Sequence, residues 1–400
     1  MTDPIVIAGA GPCGSVLALS LARQNIPVIL LEKYPELPRD LRASTFHPPT
    51  LEMLDDLGVA EAMIHQGLVA DRYQYRDRRT GEVADFRMEL IREDTRFPFR
   101  LQLEQYEMTN IVNAGLANYP HAEVRFDHEV IDVEQDAKGV TVEITRPGGI
   151  ETLRAPFVIG CDGAGSNVRK AAGIGFGGFT YDEMFLVLST PFPFEDVFDD
   201  LSYVNYVADP EEWCVILRTE KLWRVLFPVF PKTPEEVQHV VSDAHVQARL
   251  AHLHDAGAPY EIGHRTLYRV HQRVSENYVK GRIALAGDAC HINNPLGGMG
   301  MNGGIHDAVN LAGKLTEIIR EGADADERLA LYDRQRRELA VRFVQEHTIA
   351  NKQLMESTDP EVQAKRQRML METAADPVRA RAFIRERAMI DCLRESLEQQ

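Results

Sequence analysis

Four hundred residues, 44% hydrophobic and 26% charged, make a chain long for one compact core and suited to two. A formal net charge of −17 argues against a general nucleic-acid binder, which needs a basic face to displace phosphate counterions. The longest apolar runs, such as Ile5–Ala8 and Val28–Leu31, are strand-length and fall far short of the roughly 18–20 residues of a membrane span. Met1–Pro4 carries no basic leader, so the cytoplasm is the expected compartment, with neither nucleic acid nor membrane as partner. The cysteines, Cys13, Cys161, Cys214, Cys290 and Cys392, are odd in number, widely spaced and without a C-x-x-C pair. That predicts reduced thiols, not a disulfide framework or a zinc site.

Ile5–Ala8 reads as a buried strand, Gly9–Gly14 as a turn, Cys13–Arg23 as a helix and Pro27–Glu32 as a second strand, a βαβ unit. After a polar, arginine-rich stretch at 38–42, His47–Leu57 has helical spacing. Arg72–Met88 alternates around Thr80-Gly81, and Val130–Glu134 with Val140–Thr145 flank Lys138-Gly139, which predicts two hairpins. Leu103–Asn118 between them is helical in spacing, and Phe157–Gly160 is a buried strand. Residues 180–275 are rich in β-forming and aromatic residues, with one helical interruption near Pro234–Leu250. Tyr203 and Tyr206 in this region are read as sharing one strand face, as core or pocket lining. Arg282–Ala286 is strand-like, Met299–Ile319 is a long helix, and from Asp324 onward the pattern is helical and highly charged.

Three motifs carry chemistry. Gly9-Ala10-Gly11-Pro12-Cys13-Gly14 is a G-x-G-x-x-G between a strand and a helix. Gly9 permits the tight turn, Gly11 lets backbone approach a pyrophosphate, and Gly14 lets helix and strand pack closely. The helix N-terminus offers N–H groups and partial positive charge. Glu32 ends the second strand, where a carboxylate can hold an adenosine ribose and would repel a 2′-phosphate. This disfavours NADP as the tightly bound dinucleotide and leaves FAD and NAD open. A glycine turn without a ligand is the plain alternative.

The second motif, Gly160-Cys161-Asp162-Gly163 and on to Arg169, ends a strand and opens a helix; by itself it could be a helix cap using Ser166 or Asn167. The third begins Gly281-Arg282-Ile283-Ala284-Leu285-Ala286-Gly287-Asp288-Ala289-Cys290-His291 and continues Ile292-Asn293-Asn294-Pro295-Leu296-Gly297-Gly298-Met299-Gly300-Met301-Asn302-Gly303-Gly304. A buried strand delivers Asp288 at its C-terminal end, where open α/β sheets bind ligands. The closely spaced glycines then bring backbone near a flat ligand.

Together, over residues 1–345, these motifs resemble the flavoprotein aromatic hydroxylases related to p-hydroxybenzoate hydroxylase. The resemblance implies an α/β fold: a Rossmann-like FAD-binding domain (1–71, 101–178 and 276–345), an inserted mostly-β substrate domain (72–100 and 179–275) and a helical C-terminal tail (346–400). It implies that Gly9, Gly11, Pro12, Cys13 and Gly14 pack on the FAD pyrophosphate, with Glu32 and Lys33 at the adenosine. Arg42 and Gln105 would also touch FAD, Asp162 would help bind FAD and NAD(P)H, and Gly287 and Asp288 would face the ribityl chain. Pro295, Gly298, Gly300, Met301 and Asn302 would face the isoalloxazine, with backbone N–H groups toward the flavin N1–C2=O. One departure stands out: Asn293-Asn294-Pro295 occupies the place of a frequent Pro-Pro pair, with Pro295 as its second member.

The implied activity is that of an FAD-dependent monooxygenase. NADH or NADPH reduces the flavin transiently, O₂ yields a C4a-hydroperoxide, and a small aromatic or heteroaromatic substrate is hydroxylated. Arg224, in Trp223-Arg224-Val225, resembles the family arginine near substrate and flavin; it and Pro295 are the catalytic candidates, set against a solvated-face arginine. His47 and His291 read as hydrogen-bonded structural histidines before catalytic bases. His252-Leu253-His254 lacks a third ligand, so no metal is expected. A same-fold flavin oxidoreductase without oxygen insertion and a non-catalytic flavin-binding partner protein are the alternatives. The charged tail leaves room for a homodimer.

Overall fold

The protein is described by a computed structural model that covers residues 3–39, 41, 43–209, 211–357 and 359–399. Its first sheet has the order Val279–Lys280, Ile283–Leu285, Val158–Gly160, Ile5–Ala8, Val28–Leu31, Ala122–Arg125. All but the first of these strands run parallel. The central four are continuous apolar runs buried along their whole length, as strands covered on both faces must be. Helices Pro12–Arg23, Gln105–Leu116 and Met299–Glu321 pack together on this sheet. Register matters most here: Ala8 pairs with Gly160 and Gly160 with Leu285. The three motifs therefore leave one sheet edge side by side.

The second sheet has the order His291–Ile292, His264–Ser275, Phe176–Thr190, Trp223–Val229, Cys214–Arg218, Val204–Ala208, Arg72–Asp77, Val83–Arg87. It is antiparallel except where Val204–Ala208 runs parallel to Arg72–Asp77. Both expected hairpins form, and Gly149–Ala155 extends the later one into a meander. One face, with Leu186, Leu188, Trp223, Val225 and Phe227, packs against the segment 234–253. That segment is two helices, not one interruption, because the Ser242 hydroxyl accepts from His245 N and starts Asp243–Leu253 afresh. The opposite face carries Val187, Val204, Tyr206, Val215, Leu226 and Val270. Tyr203 and Tyr206 do not share a face: an odd spacing of three cannot keep period two, and Tyr203 lies exposed just before the strand while Tyr206 is buried within it.

A small sheet of Thr45–Phe46, Arg100–Gln102 and Leu68–Ala70 joins the two larger ones. Strands this short leave no periodicity to read. Among the described residues the tail forms four helices, Glu346–Glu356, Pro360–Ala375, Pro377–Arg387 and Ile390–Glu398. Asp359 and Asp376 cap the two that begin with proline. Leu370, Ala380 and Ile384 from these helices join the core under the second sheet, and Arg381 pairs with Asp94 at 2.8 Å.

Candidate active site

The glycine turn is dictated by contact. Gly9 sits at φ +96°, and a Cβ there would lie 2.5 Å from the Cys161 carbonyl oxygen. A Cβ on Gly14 would lie 2.0 Å from the Gly9 oxygen. At Gly11 the opposite holds, for nothing lies within 4 Å of the added carbon. Gly11 is the N-cap of Pro12–Arg23, and no side chain caps it, so the helix end stays open to a ligand. Glu32 is buried; its Oε2 accepts from Ala10 N at 2.9 Å and its Oε1 from Tyr34 N at 3.1 Å. The same carboxylate braces the turn and borders a cavity of about 680 Å³. Gly9, Gly11, Lys33, Gln105 and Asp162 also border it.

The Asp162 motif is both a cap and a cavity wall. Asp162 Oδ1 accepts from Ser166 Oγ at 2.5 Å, and Oδ2 from Asn167 N at 2.7 Å and Val168 N at 3.1 Å. Ser166 is the N-cap, its Oγ accepting from Arg169 N at 2.9 Å. Arg169 donates to Ala289 O at 2.7 Å and Ala164 O at 2.8 Å, and its guanidinium stacks 3.9 Å from the Phe176 ring. It thus ties the second motif to the third.

At the third motif, Gly287 (φ +65°) and Gly304 approach so closely that a Cβ on Gly304 would lie 3.0 Å from Gly287 Cα. Cys13 completes the junction, with Sγ 3.1 Å from Gly304 O and 3.8 Å from Cys161 Sγ. All five cysteines are free thiols. Asp288 is exposed at the mouth of a second cavity of about 380 Å³. Asn302 is withdrawn from both cavities: its Nδ2 donates to Thr45 O and Gly298 O, and its Oδ1 accepts from His47 N at 2.9 Å. Of the expected residues, Pro12, Cys13, Gly287 and Asp288 border the second cavity, as do Pro295, Gly298, Gly300 and Met301. Gly14 lies behind the turn, and Arg42 falls outside the described residues.

Sequence reasoning missed what lies beneath this loop. Asp307, fully buried, accepts from Gly287 N at 3.1 Å and His291 Nε2 at 2.8 Å on one oxygen and from Arg336 Nε at 2.7 Å on the other. Burial alone would raise this carboxyl, but Arg336 and His291 outweigh it and hold it at about 2. Cys290, His291 and Asp307 are spaced as metal ligands could be. With both carboxylate oxygens committed, and one to an arginine, the cluster is an ion-pair network. The position of Asp307 one helical turn past Gly303 was visible in the sequence; its partner Arg336 had no signal.

The second cavity lies between the glycine-rich loop and the inner face of the second sheet, with Val187, Val204, Val215, Leu226 and Val270 as its apolar wall. Arg224 is buried in this wall and pairs with Glu104 Oε1 at 2.7 Å, with Ser44 Oγ at 3.3 Å. It is neither solvated nor free. His47 Nε2 donates to Gly297 O at 2.8 Å, and burial, helped by nearby Arg100, lowers the ring to about 3. His47 and His291 are thus buried, hydrogen-bonded rings. His252 and His254 lie at a helix end, and the His254 ring packs beside Phe192.

A flavin dinucleotide fits these residues. Gly11, Pro12, Gln105, Cys161 and Ala164 border both cavities, so the two make one trough from Glu32 to the sheet wall. Glycines leave space at the open helix end, and Arg224 Nε and Asn293 Oδ1 are buried polar atoms without partners along it. Fold and site together define a Rossmann-type flavoprotein oxidoreductase. The FAD binding domain family matches residues 2–347. Para-nitrophenol 4-monooxygenase of Pseudomonas sp. (strain WBC-3) is 34% identical over 391 residues, covering 96% of this chain and 94% of that protein. The 6-hydroxy-3-succinoylpyridine 3-monooxygenase HspB of Pseudomonas putida (strain DSM 28022 / S16) is 31% identical, covering 82% of each. The crystal structure of p-nitrophenol 4-monooxygenase PnpA from Pseudomonas putida DLL-E4 superposes with a TM-score of 0.90 at 31% identity, over 96% of both chains. The chain belongs to the FAD-dependent aromatic hydroxylases, flavoprotein monooxygenases whose members use NAD(P)H as reductant. No helix among the described residues is long and apolar enough to cross a membrane.

Proposed function

We propose that this enzyme hydroxylates a small phenol or hydroxylated heteroaromatic ring, with O₂ as oxygen source. The observation that carries this reading is the apolar slot that opens directly onto the glycine-rich loop. The names of two relatives, one acting on a nitrophenol and one on a hydroxypyridine, support the ring class. Bound FAD, once reduced, supplies the oxygen-activating chemistry.

The chain's own residues bind, orient and shield. The backbone N–H groups of Gly11 and Cys13 would face the pyrophosphate, with Pro12, which has none, beside them and Gly14 packing the helix behind the turn. Glu32 and Lys33 would hold the adenosine end and Asp162 would flank the dinucleotide, to which the family resemblance adds Arg42. Gln105 stands where the two cavities meet. Gly287 and Asp288 would hold the ribityl chain, and the helix start at Gly298, Gly300 and Met301 would lie at the flavin pyrimidine edge, where N–H groups would favour negative charge on the ring. Asn302 acts by fixing that helix start to His47 and Thr45. Pro295 borders the substrate, and Arg224, neutralised by Glu104, closes the wall between domains. The valine wall keeps water from the reacting centre. NADH or NADPH docks transiently at the surface. The domain division at 71/72, 100/101, 178/179, 275/276 and 345/346 belongs to this proposal, as does a cytoplasmic setting, which five free thiols suit.

Labelled O₂ tests the reading. Phenols should accelerate NAD(P)H oxidation by the yellow protein, and the label should enter the hydroxylated product. Stimulated oxidation with unlabelled product would leave an oxidoreductase without oxygen insertion.

A further inference from the structure

The substrate chamber contains a charge with no counterpart. Arg100 lies on the short strand Arg100–Gln102, is 2% exposed and borders the second cavity. Its guanidinium sits 4.0 Å from the centre of the Tyr73 ring. Its Nε and Nη1 are buried and have no hydrogen-bond partner. No carboxylate among the described residues pairs with it, although the neighbouring wall arginine, Arg224, is matched by Glu104. An arginine does not escape burial by losing its proton. A buried cation with no acceptor is destabilising, and a group from outside the chain would remove that cost. The sheet wall of the chamber is valine, leucine and tyrosine, and the other charged residues that border it are either paired, as Arg224 is, or exposed, as Arg269 and Asp288 are, so a flat apolar ring would meet one buried, unmatched charge.

We propose that Arg100 anchors a ring substituent bearing anionic or strongly polarised oxygen, a carboxylate or a nitro group, and so decides which rings the chamber accepts. The inference rests on the hydroxylase reading above and deepens it. The ring's oxygen accepts from the unsatisfied Arg100 donors while the Tyr73 face supports the guanidinium from behind.

The test uses the FAD-loaded full chain and two matched pairs, benzoate with benzamide and 4-nitrophenol with 4-methylphenol, titrated by the change in flavin absorbance. The native enzyme should bind the charged or nitro member of at least one pair roughly tenfold or more tighter than its partner, the size of one charge-assisted hydrogen bond. Which pair responds identifies the group. Arg100→Met should erase that preference, leave the neutral rings within about twofold, and raise KM far more than it lowers kcat. Arg100→Lys, which keeps a charge in place, should restore part of it. Equal affinity within both pairs in the native enzyme overturns the inference, whatever the variants do. So does an Arg100→Met enzyme that loses affinity for all four rings alike, which would make Arg100 structural. If 4-methylphenol stimulates NAD(P)H oxidation while neither pair is discriminated, this inference alone falls. If no phenol binds or stimulates oxidation, the hydroxylase reading falls first.

Discussion

The two halves of the trough are built on different principles. The adenosine half is made of backbone: glycines at Gly9, Gly11 and Gly14, an open helix end, and one acid at Glu32. The ring half is made of side chains from scattered segments, with Arg100, Val187, Arg224 and Val270 meeting only in space. A site made of backbone tolerates almost no added atom, because its dimensions are those of the main chain. A site made of side chains tolerates changes of shape and registers changes of charge.

That contrast is sharpest in the buried charges. Under the loop, Asp307, Arg336 and His291 form a closed set in which the carboxylate's oxygens are all taken. Arg336→Met should give the largest loss, about 3–5 kcal/mol in chemical denaturation, by leaving the buried Asp307 carboxylate without its arginine and its Oδ1 without a donor. A loss under 1 kcal/mol would mean that the network is not closed. Because the folded Asp307 titrates at about 2, below its ordinary 3.8, its stabilisation is complete above pH ~4 and fades as pH falls toward 2. Asp307→Asn should remove that part of the acid-melting profile.

The backbone-built half is probed next. Gly14→Ala places a methyl 2.0 Å from the Gly9 oxygen and should cost roughly 3 kcal/mol, with loss of bound FAD visible in the absorbance of the purified protein. A yellow, native-melting Gly14→Ala protein would show the turn to be more compliant than its contacts say.

Histidines give a smaller, graded effect. His47 and His306, both lowered to about 3 by burial first, stay neutral when folded and take up protons when unfolded. Their contribution is intact above pH ~6.5 and is lost progressively as pH falls toward 3. His306→Gln should therefore shallow the decline in Tm between pH 6 and pH 4. An unchanged slope would place the proton uptake elsewhere.

The mildest prediction concerns Asn294. It is buried and points away from the chamber: its backbone N donates to Gln272 Oε1 at 3.0 Å, its Nδ2 to Thr348 O at 2.9 Å, and its Oδ1 accepts from Leu296 N at 3.1 Å. Asn294→Ala should lower stability by about 1–2 kcal/mol through its unsatisfied neighbours, with substrate affinity little changed. A change in ring selectivity with no change in stability would contradict this placement.

What the sequence by itself determined was the part governed by local backbone geometry. Continuous apolar runs specify parallel strands, and glycines at a strand-to-helix turn specify close approach, whatever the rest of the chain does. Hence the βαβ unit, both hairpins and the order of the three motifs are legible in the sequence, and the helix cap is narrowed to Ser166 or Asn167, of which the fold uses Ser166. Tertiary structure alone decided which distant side chains meet. The pairing of Ala8, Gly160 and Leu285 in adjacent strands sets the motifs side by side; Arg336 reaches Asp307, Glu104 neutralises Arg224, and Arg100 meets no carboxylate among the described residues. These are long-range packing outcomes. A charge's environment depends on what is buried against it, and no local pattern of residues records that.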